Sequence, residues 1–96
     1  MKPSQALANK RDAIVEVSLR YKTVNPRVFG SVLHGNDEEG SDLDLLVDAL
    51  PGVTLFDLGG LQDELAELLG ITVEVLTPND LPVKFRDQVL LEAEPI

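Results

Sequence analysis

Cysteine and tryptophan are absent from these 96 residues, and there is one histidine, one tyrosine and three phenylalanines. Without cysteine there are no disulfides and no thiolate metal sites, so a metal would have to be held by oxygen or by the lone imidazole. No apolar run approaches the ~18 residues of a membrane-crossing helix, and no basic-then-apolar leader opens the chain. We therefore expect a cytoplasmic protein with no membrane partner. Positive charge is also scarce. Eight Lys/Arg stand against seventeen Asp/Glu, a formal charge of −9. Proteins that bind phosphate backbones need Lys/Arg clusters to displace counterions, so nucleic acid is not an expected partner. Six of the eight basic residues lie within residues 1–29 beside two acids, whereas residues 30–96 hold two bases and fifteen acids. Such acidity aids solubility and also suits a basic protein partner.

What is present reads as one small domain over residues 1–96, with an ordinary apolar fraction of 44%. Leu7, Ile14, Val17 and Tyr21 predict a helix across residues 4–22, with Ser4 as its N-cap. Residues 24–30 read as a strand whose start is disturbed by Asn25-Pro26. A polar loop over residues 36–41 leads to a strand from Asp42 to Ala49, which Leu50-Pro51-Gly52 ends. Thr54 and Asp57 resemble a capping box, Leu58, Leu61, Leu65 and Leu68 share one helical face, and Gly70 stops that helix. Gly59-Gly60 inside it should cost about 1 kcal/mol each relative to Ala, which points to close backbone packing or a late helix start. Residues 71–76 form a third strand, Thr77-Pro78-Asn79-Asp80 a turn, and residues 83–91 a last helix.

These elements predict an α/β (α+β) fold, a small mixed three-stranded sheet flanked by helices. The link from Gly30 to Asp42 is too short for a helical crossover, so the first two strands should be antiparallel. The helix between Ala49 and Ile71 makes the second and third strands parallel neighbours. Gly30-Ser31, Asp42, Asp44 and Glu74 then converge on one corner. Asp42 and Asp44, two residues apart on a strand, share a face. Like charges so placed repel unless cations lie between them, and hard carboxylate oxygens suit Mg²⁺. Glu74 interrupts an apolar strand and would find its partner in the same ion. Gly30 allows close backbone approach to a phosphate, and a helical turn opening at Ser31 would offer free N–H groups and a hydroxyl. Two other motifs fail. Gly30 to Gly35 has P-loop glycine spacing, but Asn36-Asp37 replaces the required Lys and Ser/Thr. The acidic run Asp37–Asp48 lacks the EF-hand register.

Gly30-Ser31, ten residues, Asp42-x-Asp44 and a later acid together resemble the signature of the DNA-polymerase-beta-like nucleotidyltransferases. The short chain is most similar to the minimal nucleotidyltransferases that act as antitoxins beside HEPN-domain toxins. The family more often carries Arg where His34 stands and Asp where Glu74 stands. The resemblance implies a polymerase-beta-like nucleotidyltransferase fold and two Mg²⁺ ions shared by Asp42 and Asp44. Glu74 would bind the ion that activates the attacking hydroxyl, or accept its proton, and the pyrophosphate of an NTP, ATP by preference, would rest against Ser31. It implies transfer of AMP to a hydroxyl, a tyrosine by preference, of a HEPN toxin held in a hetero-oligomer. The rival expectation is a non-catalytic antitoxin that masks its toxin by stoichiometric binding. A small-molecule nucleotidyltransferase shares the motif but normally carries a further helical domain.

Overall fold

The computed structural model describes all 96 residues. Two short helices, α1 (Pro3–Ala8) and α2 (Arg11–Arg20), precede the hairpin of β1 (Thr23–Phe29) and β2 (Leu43–Ala49). Helix α3 (Leu55–Leu69), β3 (Val73–Leu76), a 3₁₀ turn (Pro78–Asp80), α4 (Val83–Glu92) and β4 (Glu94–Pro95) follow. The sheet order is β3-β2-β1-β4, with β1 antiparallel to both neighbours and β2 parallel to β3.

Strand alternation sorts the side chains of this sheet. Leu43, Leu45 and Val47 join Val28, Val73 and Val75 on one face, where Ile14 and Val17 of α2 and Leu61, Leu65 and Leu69 of α3 cover them. Asp44, Leu46 and Asp48 belong to the other face. Leu46 is nonetheless fully buried there, and the 3₁₀ turn packs against β2. On this face Arg27 of β1 grips Asp48 with two N–H groups, at 3.0 and 3.1 Å, and these hydrogen bonds hold the Asp48 carboxyl below the usual range. The outer edge of β3 is protected, because Val75 N–H donates to the Gln62 side chain at 3.0 Å.

The expected capping box is present. Asp57 N–H donates to Thr54 Oγ1 at 3.2 Å, and Thr54 N–H donates to Asp57 Oδ2 at 2.9 Å. Gly70 ends α3 in the left-handed region, φ 69°. The two adjacent glycines of α3 have different reasons to be there. A Cβ on Gly60 would stand 2.8 Å from the Tyr21 ring, whereas one on Gly59 would meet nothing within 4 Å. We predict that Gly59→Ala stabilises the fold by about 1 kcal/mol, raising Tm by ~4–8 °C. Gly60→Ala should forfeit that gain by displacing Tyr21, whose hydroxyl donates to Glu64 at 2.9 Å. Thermal melts of the two variants, read side by side, check the contrast.

Three sequence expectations need correction. The sheet has four strands rather than three, because Glu94 and Pro95 pair with Val28 and Arg27. A two-residue strand containing proline has no periodicity to announce it. The helix expected over residues 4–22 is two helices broken at Asn9-Lys10, and the first is capped at Lys2 rather than Ser4. Tertiary contact overrides propensity here. Ser4 N–H donates to the buried Asp37 at 2.9 Å, tying α1 to the loop between β1 and β2. Finally, β2 starts at Leu43, which leaves Asp42 just outside the ladder.

Candidate active site

Register brings the functional side chains together. Phe29 opposes Asp44 across the antiparallel pair, and Asp44 lies beside Glu74 across the parallel pair. The turn that leaves β1 therefore starts next to both acids. Gly30 has φ +75°, and a Cβ built on it would overlap Asp44 Oδ2 and stand 3.2 Å from Asp44 Cγ. Only glycine accommodates this backbone conformation together with that carboxylate. Beyond it the chain makes one helical turn: His34 N–H donates to Gly30 O at 3.2 Å and Asn36 N–H to Ser31 O at 2.9 Å. The N–H groups of Ser31, Val32 and Leu33 find no acceptor in the chain. They form the free donor set of an incipient helix, beside a pair of carboxylates.

The electrostatics are those of an uncompensated acidic corner. Asp44 is pushed up to about 6, first by burial, then by the charge of Glu74 and a hydrogen bond to it, and last by the charge of Asp42. No Lys or Arg forms an ion pair with Asp42, Asp44 or Glu74. Asp44 and Glu74 are thus in contact, whereas Asp42 is exposed and further out. No three His, Asp or Glu side chains are gathered closely enough to enclose a cation. The donor set still fits Mg²⁺, which is held through one or two carboxylates plus substrate phosphates more often than by an all-protein cage. A divalent ion would neutralise the repulsion that raises Asp44.

His34 is an exposed loop residue whose Nε2 also lies 3.3 Å from Glu92 Oε2, at the end of α4. The loop is anchored on its far side by Asp37, whose carboxyl is held down chiefly by hydrogen bonding to Ser4. Neither anchor is legible in the sequence, because the partners lie more than thirty residues away along the chain.

A mixed sheet that sets paired acids against a Gly-Ser turn with unpaired N–H groups has the architecture of a nucleotidyl-transfer enzyme. Residues 11–95 match the family model of the nucleotidyltransferase domain, and the chain belongs to that family. A Methanocaldococcus jannaschii protein to which protein adenylyltransferase activity is ascribed is 38% identical over 80 residues, which is 83% of this chain and 86% of the relative. The solved structure of a protein ascribed to the minimal nucleotidyltransferases superposes with a TM-score of 0.86 at 41% identity, covering 97% of this chain and 95% of the other. A toxin-antitoxin structure solved with AMP-PNP matches at TM-score 0.75 and 21% identity, over 88% of this chain and 70% of that one, and shares its fold. The chain is a minimal nucleotidyltransferase with the polymerase-beta-like fold expected from its motif.

Proposed function

We propose that this protein is a MgATP-dependent protein adenylyltransferase acting as an antitoxin in the cytoplasm. It transfers AMP to a hydroxyl, a tyrosine by preference, of a HEPN-type toxin with which it forms a hetero-oligomer. The observation that carries this reading is the contact of Asp44 with Glu74 beside Gly30, uncompensated by any basic side chain and next to three free N–H groups. The protein adenylyltransferase activity ascribed to the archaeal relative and the AMP-PNP held by the toxin-antitoxin structure support it.

In the proposed reaction the acceptor oxygen forms a bond to the α-phosphorus of ATP as the bond to the bridging oxygen breaks, releasing pyrophosphate. Asp42 and Asp44 would hold Mg²⁺, with Glu74 as the third ligand. When bound, Mg²⁺ supplies neutralisation of the phosphate charge and polarisation of the attacking and leaving oxygens. Glu74 is exposed on the edge strand and would also receive the acceptor proton. The N–H groups of Ser31, Val32 and Leu33 and the Ser31 hydroxyl orient the pyrophosphate portion.

A second reading, masking by stoichiometric binding, is favoured by one observation. Leu55 and Phe56 at the start of α3 are 83% and 92% exposed, and Leu50, just after β2, and Val83 and Phe85, in the first turn of α4, are exposed as well. Exposed apolar residues of this kind mark protein interfaces. Both readings predict that Leu55→Ser with Phe56→Ser weakens the toxin complex by at least about 2 kcal/mol, the scale of an aromatic hot spot, measured by calorimetry. They part on stoichiometry. Adenylylation silences a molar excess of toxin and requires ATP, whereas masking needs one subunit per toxin and no nucleotide. Titration of the antitoxin against toxin activity, with and without MgATP, separates them.

A further inference from the structure

His34 and Glu92 form a link that the proposed chemistry does not use. Their facing atoms are 3.3 Å apart, on side chains 52% and 37% exposed. His34 closes the first turn after β1 through its N–H to Gly30 O. Glu92 is the last residue of α4, and Glu94, two residues on, pairs with Val28 of β1. Val28 in turn precedes Gly30 by two residues. The contacts therefore close a ring that runs from Gly30 through His34, Glu92 and Glu94 to Val28 and back. Such a partly exposed pair adds little to stability. What it fixes is geometry, because the turn is held at Gly30 on one side and at His34 on the other.

We infer that His34 is a positioning residue: through Glu92 it sets the tilt of the Ser31, Val32 and Leu33 N–H groups toward the phosphates of the nucleotide. The inference rests on the nucleotide site described under Proposed function. It differs from a direct phosphate contact by His34, because it requires Glu92 to matter equally. No catalytic atom is touched by either side chain. A small loss of alignment in such a turn weakens several hydrogen bonds to the phosphates together.

The test is binding of a non-hydrolysable ATP analogue with Mg²⁺, measured by calorimetry on the full chain and on His34→Ala, Glu92→Ala, Glu92→Gln and the double alanine variant. Each single alanine should raise Kd by about fivefold, with Tm moved by no more than ~2 °C. The double variant should be no worse than either single one, since both break the same link. Glu92→Gln, which keeps a polar partner for the imidazole, should recover part of the loss. Wild-type affinity in Glu92→Ala beside a loss in His34→Ala would overturn the inference and place His34 on the nucleotide itself. Additive losses would overturn it too. Amide hydrogen exchange of the ligand-free proteins supplies a readout that does not depend on nucleotide binding. His34 and Asn36 amides should exchange faster in both single variants. Unchanged exchange would refute the link, whereas absent analogue binding with accelerated exchange would refute the nucleotide site alone.

Discussion

Asn at both Asp42 and Asp44 should lower AMP transfer by at least about 10³-fold, because the several kcal/mol that bound Mg²⁺ would supply are lost. The same substitutions should make the ligand-free protein more stable. Asp44 is raised above its usual value by burial and by Glu74, so the fold disfavours its ionised form. The sign follows from linkage: for an acid whose folded pKa lies above the unfolded one, the penalty is absent below the unfolded value, near 4, and complete above the folded value, about 6. Stability of the wild-type chain without metal should therefore decline as pH rises from ~4 to ~6, and the Asn variant should lack this component. Asp44 is only half-buried, so solvent screening reduces the difference at pH 7 to about 1 kcal/mol, or ~4–8 °C in Tm. Mg²⁺ should raise Tm of the wild type at pH 7 and leave that of the variant unchanged. Thermal melts across pH, with and without Mg²⁺, check each part without any assay of transfer. A variant that melts earlier than wild type at pH 7 would show that the acidic corner is compensated in some other way.

Gly30→Ala should give the second-largest effect. The substitution meets two obstacles at one atom: φ is +75°, and the new Cβ would overlap Asp44 Oδ2. The backbone term costs about 1–2 kcal/mol. The steric term is the one that reaches function, since it forces apart Asp44 and the turn that carries Ser31. A displacement of about 1 Å at such a site lowers the rate by ~10²-fold. Gly35→Ala is the control. Gly35 has φ +71°, yet a Cβ there would meet nothing within 4 Å. It should lose stability similarly and keep most of its transfer. Melting curves and initial rates of the two proteins, compared directly, separate strain from displacement. Equal loss of transfer in both would remove the special role given to Gly30.

Much of this site was legible because its signals are local. Two carboxylates at i and i+2 define a shared strand face, and a short loop dictates antiparallel pairing. The parallel crossover places Glu74 beside Asp44 without further information. Thr54, Asp57 and Gly70 announced the ends of α3 through capping chemistry that acts over three or four residues. What escaped depends on partners distant along the chain. Nothing within Glu94-Pro95 predicts that it extends the sheet, because the pairing is decided by the return of α4 to β1. The break at Asn9-Lys10 carries no Gly or Pro, and Asp37, thirty-three residues beyond Ser4, anchors the first of the two helices. His34 is exposed in the loop, and its pairing with Glu92 escaped because that partner is fifty-eight residues away. The expectation that Asp42 belongs to the strand missed by one residue, which matters here. Asp42 is left on a more exposed position than Asp44, so of the three acids only Asp44 and Glu74 are in contact.

The decisive experiment for adenylylation is intact-mass spectrometry of a purified HEPN-type toxin, the proposed partner, after incubation with a substoichiometric amount of this protein and MgATP. The whole toxin population should gain the mass of one or more AMP units, and EDTA or the Asp42→Asn, Asp44→Asn double variant should abolish the gain. A toxin of unchanged mass that nevertheless co-elutes with this protein on gel filtration would contradict adenylylation and establish masking by binding.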